Sequence, residues 1–591
     1  MVKKAETVFD NKIWKSITGI LFPVILVLFS LMHIGEGVTV TDTGYNYGNF
    51  VFFDSLDDMW KFSTYLAGAL GALFTRLPFG QTMLGLNFYT GLIKVAVALL
   101  AYYFCVRVCK MRKEVVFAGE MLALGLCWCP TALTYNYLTY FLFSAGAMLL
   151  YAALVKEKNV YFVLAGVALG LNVFVRLPNL AEMALIVVVW LCGILYRQKP
   201  GKVIKNTLLC VLGYIIGLAC VFVYIICRYG LNRYMDGISA LFAMTDEAGS
   251  YTVKAMIVDM IKVYLQYIGY FAGGLLLVAI GMILFKVFDK KFMAVKCFFY
   301  TAVVLAVVIL YYKLGMFNFN YRAYTSMFGW GVILLTFCLA LGAFWILFTK
   351  KEKEEKIMAA IVCVIILITP LGSNNHLYSP MNNLFLVAPF FINYIWYLLS
   401  GQKSCIMVGK VEFSTVPYKI TIVILGAAVW LQSVIFGANF VFRDGVNGEA
   451  RNAQVEENAV LTGMYTTQEN AENLQELNSY LEENELVGKD AILFGNVPAL
   501  AFYYELTPAL SSTWPDLQSF AFNKFEAEIN ELAEEGKRPV VVMSSNPADV
   551  GKDEGAKDSL MKKMQCLENF MTENSYKQGF SNDAFTVYIS R

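Results

Sequence analysis

Up to about residue 440 the chain alternates long apolar runs with short clusters of charge. A helix needs roughly 20 apolar residues to cross about 30 Å of hydrocarbon. Runs of that order begin near Ile17, Met83, Val115, Leu138, Val160, Leu180, Val203, Tyr264, Phe298, Ser326, Ile357, Leu384 and Ile420. The pattern predicts a polytopic α-helical membrane protein of about thirteen transmembrane helices, the runs from Val115, Leu138 and Ile357 being the shortest. The connection after the first run, residues 34–81, is far longer than two spans need. Within it Met59, Phe62, Leu66, Leu70 and Leu73 recur at helical spacing, which predicts an amphipathic helix over Asp57–Leu77 lying in the interface. A second long connection, Arg228–Lys262, predicts a short interfacial helix around Ile238–Ala243, with Asp246 and Glu247 at its acidic tip.

Beyond Thr466 the pattern shortens. Asn473–Leu486, Phe525–Glu535 and Ser559–Thr572 have helical periodicity, while Asp490–Phe494 and Pro539–Met543 are apolar strands and Phe585–Ile589 an antiparallel edge strand. The division expected is therefore a multi-spanning membrane domain over 1–437 and a small soluble α/β domain over 438–591. The soluble part contains no glycine-rich phosphate loop, paired metal ligands or nucleophile elbow.

Composition agrees with a bilayer as solvent, because 58% of the 591 residues are hydrophobic and only 16% charged. The net charge of +2 hides an uneven split. After Arg443 acidic side chains outnumber basic ones by more than two to one, so the membrane part is basic. Its cations occupy alternate loops: Lys3–Lys15, Arg107–Lys113, Lys156 with Lys158, Arg197–Lys205, Lys286–Lys296, Lys350–Lys356 and Lys403–Lys419. Cytoplasmic loops retain Lys and Arg. That face is expected to be cytoplasmic, with the first run a signal anchor, and an odd number of spans carries the acidic domain to the opposite side. Of the 13 cysteines only Cys566 lies in the soluble part, which therefore has no internal disulfide.

The candidate chemistry clusters on the outer side. Thr41-Asp42-Thr43-Gly44-Tyr45-Asn46-Tyr47 sets a carboxylate beside two tyrosines just after the first span. Asp42 can take a proton from an acceptor hydroxyl, with Tyr45 and Tyr47 stacking on or bonding a sugar. The alternative is an ordinary solvated loop aspartate. His33 and Glu36 lie close by in sequence. Lys94, near mid-depth of the second span, is costly there unless paired or wetted, which makes it a candidate for function; Glu182 is one candidate partner, and the alternative is a buried structural pair joining two helices. Cys127 and Cys129 flank Trp128, an arrangement read as packing, and no metal ligand is assigned.

An acid just after the first span, an interfacial helix, many spans and an external C-terminal domain together resemble the GT-C glycosyltransferase superfamily. The stretch from Asp42 through Arg76-Leu77-Pro78-Phe79-Gly80 is most similar to protein O-mannosyltransferase-like and aminoarabinose-transferase-like members. Thr43 stands where many relatives carry a second acid, and a divalent cation stays an open alternative. The resemblance implies an inverting transfer of sugar from a polyprenyl-phosphate donor to a glycan, lipid or protein acceptor of the cell envelope. Asp42 would be the base. Outer-rim cations would stabilise the leaving phosphate: Arg76, Arg176, Lys313, Arg322 and His376. Tyr45, Tyr47, Asn179 and Tyr321 would contact sugar or acceptor. Membrane lipids are further expected partners, nucleic acid is not, and a bacterial plasma membrane is the expected site. Two rival readings are a transporter or flippase, and a non-catalytic surface protein.

Overall fold

A computed structural model of the chain describes residues 12–248, 253–287, 292–323, 325–349, 352–371, 375, 377–401, 405–408, 411–445, 449–545 and 554–590. His376 and several loop cations, Lys3 and Lys4 among them, lie outside the described residues. The membrane part opens with α1 (Lys12–Ser30), then α2 (Asp42–Val51), α3 (Asp58–Ser63), α4 (Tyr65–Phe74) and α5 (Met83–Tyr103). Next come α6 (Lys113–Leu126), α7 (Thr134–Lys156), α8 (Asn159–Val173), a 3-10 segment (Leu177–Ile186) running into α9 (Val187–Leu195), α10 (Pro200–Tyr229) and α11 (Leu231–Ala248). It continues with α12 (Val253–Val287), α13 (Met293–Lys313), α14 (Phe328–Phe348), α15 (Lys353–Ile368), α16 (Tyr378–Asn382), α17 (Val387–Ser400) and α18 (Val416–Asn439).

Each apolar run of the sequence leads into one of these helices, but among the described residues nine are long and apolar enough to cross a membrane. The figure of about thirteen is not reached. Helices α6, α8, α15 and α17 have 14, 15, 16 and 14 residues, roughly 21–24 Å at the helical rise, short of the hydrocarbon thickness. Helix α8 is held by its long neighbour α10 through glycines on both. A Cβ at Gly166 would stand 2.0 Å from the Cys210 carbonyl oxygen, and one at Gly213 would stand 1.9 Å from that of Val163. With Gly170 and Gly217 these form a GxxxG step on each helix, which lets the backbones touch where lipid offers no hydrophobic drive.

The ion pairs separate the two ends of the bundle. At one end Lys202 and Lys353 both meet Glu157, and Lys113 donates to the Lys15 carbonyl. All belong to the alternating basic loops. At the other end lie Arg443 with Asp42, Arg228 with Asp54, Arg233 with Asp58 and Lys524 with Asp57.

The long first connection folds differently from expectation. Asp42 is not in a loop; it opens α2, whose Tyr47 and Phe50 are buried. The continuous interfacial helix is broken at Thr64 into α3 and α4, because Leu66 N–H turns to the Phe174 carbonyl. The face packed inward holds Phe62, Tyr65, Ala67, Gly68 and Gly71, while Leu73 is exposed. The second connection forms the longer α11, packed on α3 by the two hydrogen bonds Arg233 donates to Asp58.

In the soluble part, α19 (Gln468–Glu483), α20 (Leu500–Tyr503), α21 (Phe522–Glu534) and α22 (Glu554–Glu573) accompany a five-stranded sheet. With β1 (Cys405–Val408) and β2 (Val411–Ser414) forming a hairpin at the basic end, the sheet consists of β3 (Asp490–Phe494), β4 (Thr507–Pro508), β5 (Val540–Ser544), β6 (Tyr576–Ser581) and β7 (Phe585–Ser590) in the order β4-β3-β5-β7-β6. Strands β3, β4 and β5 are parallel and β7 antiparallel to β5. Strand β7 is internal; the edge beside it is β6. Apolar residues of this domain form one core with Val38, Tyr47, Phe50, Met83 and Leu86 of the membrane part. Backbone bonds tie the two together: Met83 N–H to the Val460 carbonyl, Ala499 N–H to that of Val40, and a reciprocal pair joining residues 35–37 to Tyr465.

A candidate active site at Asp42

Helix α2 is positioned by close contact at Gly44, where a Cβ would come within 2.3 Å of the Ala499 Cβ. Tyr503, at the end of α20, which Ala499 caps, donates to the Thr39 carbonyl at 2.6 Å. The soluble domain therefore clamps the chain on both sides of Asp42. The carboxylate lies in the first helical turn, where the free N–H groups favour negative charge. Its Oδ2 is 3.5 Å from Arg443 Nη1, and its side chain is 32% exposed. Burial pushes its pKa above the ordinary carboxylate value, with Arg443, its own backbone N–H and the Thr41 hydroxyl opposing that rise.

Arg443 was not among the residues singled out in the sequence. It follows the last span and has a left-handed backbone, φ 49°. The chain that follows it is pinned at Asp444 and Glu449. Arg322 donates to the Asp444 carbonyl at 3.1 Å and also to the Glu449 carbonyl. Buried Asp444 accepts from the Thr466 hydroxyl at 2.6 Å and lies 3.6 Å from Arg451. Arg451 continues to Glu36 at 3.2 Å. Hydrogen bonding from His33 and the charge of Arg451 hold the Glu36 carboxyl below its ordinary pKa.

Beside this pair opens a cleft between α1, α5, the 127–131 loop and the end of α18. Its lining includes Ser30, His33, Glu36, Thr39, Thr43, Asn87, Lys94, Cys127, Cys129 and Thr131. Thr43 and Phe442, the chain neighbours of Asp42 and Arg443, line it, whereas Asp42 and Arg443 themselves do not. Lys94 lies roughly 16 Å along α5 from its start, with its ammonium 6.0 Å from the Tyr137 ring centroid. The candidate partner Glu182 is engaged elsewhere: it accepts from Asn172 at 2.6 Å and feels Arg176 as its cation. Trp128 packs against Tyr378, ring centroids 4.1 Å apart.

The other sequence candidates divide by position. Tyr45 is half-buried and meets Trp514 edge-on at 5.3 Å; burial pushes its phenol up to about 12. Arg176 lies 5.8 Å from the Tyr135 ring, and Tyr135 feels the charges of both Arg176 and Asp42. These two join the Asp42 neighbourhood. Tyr47 instead points into the core and donates to Asn87 at 2.5 Å. Asn179 is buried, its amide donating to Thr139 and to the Asn172 carbonyl, and Tyr321 donates to Gln432 at 2.7 Å. Arg76 is exposed, 3.9 Å from Asp54, and Lys313 ends α13 in an exposed position. Neither lines the cleft. Among the described residues no group of three or more His, Cys, Asp or Glu could hold a metal ion. Compared with known proteins, the chain matches no protein family and no curated protein.

Proposed function

We propose that the protein is a GT-C-like membrane glycosyltransferase that moves a sugar from a polyprenyl-phosphate donor to an acceptor hydroxyl. The observation that carries this reading is the half-buried carboxylate of Asp42, paired with Arg443 one chain position away from the lining residues Thr43 and Phe442 of a polar cleft that holds Lys94. Asp42 takes the acceptor proton as the acceptor oxygen attacks the anomeric carbon. The bond to the phosphate oxygen breaks in the same displacement, inverting the centre. Arg443 beside Asp42, Lys94 on the cleft wall and Arg176 beside Tyr135 offset the charge that develops on the leaving phosphate. Arg322 acts one step back by fixing the chain that follows Arg443.

In this reading the four short apolar helices also cross, giving about thirteen spans in a locally thinned or protein-shielded path. The basic end faces the cytoplasm, and the soluble domain and cleft face outward from a bacterial plasma membrane. The acceptor is an envelope glycan, lipid or protein. A second reading, transport or flipping of a polar or lipid-linked substrate, draws on the depth at which Lys94 meets the cleft. Release of polyprenyl phosphate from labelled donors separates the two. Donor-specific release lost in Asp42→Asn supports transfer, and binding without turnover supports transport.

A further inference from the structure

Cys127 and Cys129 sit on the wall of the same cleft, in a stretch that is neither helix nor strand between the end of α6 and Thr131. One residue separates them, and both side chains face the same cleft. The surrounding contacts fix them in place. Asn136 donates to Cys129 Sγ at 3.3 Å, the Tyr140 hydroxyl lies 3.6 Å from the same sulfur, and Tyr137 donates to the Cys129 carbonyl at 2.7 Å. The intervening Trp128 N–H is held by Asn382 at 3.0 Å. Residues two apart cannot be separated by more than about 7 Å even when extended. The roughly 4.4–6.8 Å Cα separation that a disulfide requires lies within that limit. Lys94 lines the cleft with them, and a neighbouring cation favours the thiolate that attacks a disulfide.

We infer that Cys127 and Cys129 form a reversible redox site in the cleft wall, closing to an intramolecular disulfide by exchange with a small-molecule disulfide. The Cys127 thiolate attacks one sulfur of the co-reactant, forming a mixed disulfide and releasing one thiol. Cys129 then attacks the Cys127 sulfur and releases the second thiol. The balance is two protein thiols plus one disulfide giving one protein disulfide plus two free thiols. Closure removes the Cys129 sulfur from Asn136 and Tyr140 and stiffens the loop between α6 and α7, so the cleft wall differs between the two states. This site stands whatever the cleft binds.

The chain supplies a control. Cys220 and Cys227, both exposed on α10, are roughly 10 Å apart along the helix and cannot bridge. The test uses the full chain in lipid nanodiscs, titrated with oxidised glutathione, acid-quenched, alkylated with a maleimide and read peptide by peptide by mass spectrometry. The expected result is a 127–129 peptide that loses two hydrogens, takes up no maleimide and recovers both additions after dithiothreitol, while the peptides bearing Cys220 and Cys227 never show an internal bridge. In Cys129→Ser the same treatment leaves glutathione on Cys127. Full alkylation of both thiols after oxidant, or stable glutathione on both without closure, overturns the proposal.

Discussion

Asp42 and Arg443 are 401 positions apart in the chain, one just after the first span and the other just after the last. The acid was legible in the sequence, because a carboxylate beside a glycine and two tyrosines at the end of an apolar run is a local pattern. Its arginine was not, since nothing local says which distant residue returns to it. The same blindness explains Arg322, read as a phosphate cation although its guanidinium is held by two backbone carbonyls, and Lys94, whose candidate pairing with Glu182 gives way to the cleft. A base works deprotonated, so the rate should fall as pH drops through the pKa of Asp42, which burial places above that of a free aspartate. Arg443 opposes that rise. In Arg443→Gln the acid limb of the pH–rate profile is expected to move to higher pH; an unmoved limb would show that Asp42 is not the group titrating.

At the level of elements, long apolar helices are readable because length and composition alone mark them. The short helix α2 is not, since Gly44, Asn46 and Gly48 are poor helix formers and the helix rests on packing against residues 499–503. Strand β6 escapes for a related reason: it is largely exposed and carries Gly579. A Cβ at Gly579 would lie 2.0 Å from the Tyr480 hydroxyl oxygen, the end of a half-buried ring that would have to shift. The α8–α10 contact depends on glycine more strictly, because there the clash is with backbone carbonyl oxygens. Gly213→Leu should separate the two helices at a cost of about 1–3 kcal/mol, seen as a lower unfolding temperature in detergent, whereas Gly201→Leu, with open space around its Cβ, should leave it unchanged. Gly44→Val is expected to loosen α2 from the soluble domain, read as faster amide exchange across residues 42–51 with the β3–β5 core unaffected.

Across the whole molecule, the split into an apolar and a soluble part is visible in composition, but their union is not. The shared core of Tyr47, Phe50, Met83 and the α19–α20 residues makes the soluble domain a cover seated over α2 rather than a body on a tether. Placing the acidic C-terminal domain outward predicts that Glu485→Cys, on an exposed turn of that domain, takes up a membrane-impermeant maleimide in intact cells beyond the wild-type level. Labelling only after permeabilisation would reverse the orientation. The most direct measurement of the central claim is release of polyprenyl phosphate by purified protein in lipid, from a panel of radiolabelled polyprenyl-phosphate sugars, with wild type and Asp42→Asn side by side. Release that depends on one sugar and falls by at least about 100-fold in Asp42→Asn is the predicted result; equal release by both proteins, or tight donor binding with no turnover in either, contradicts it.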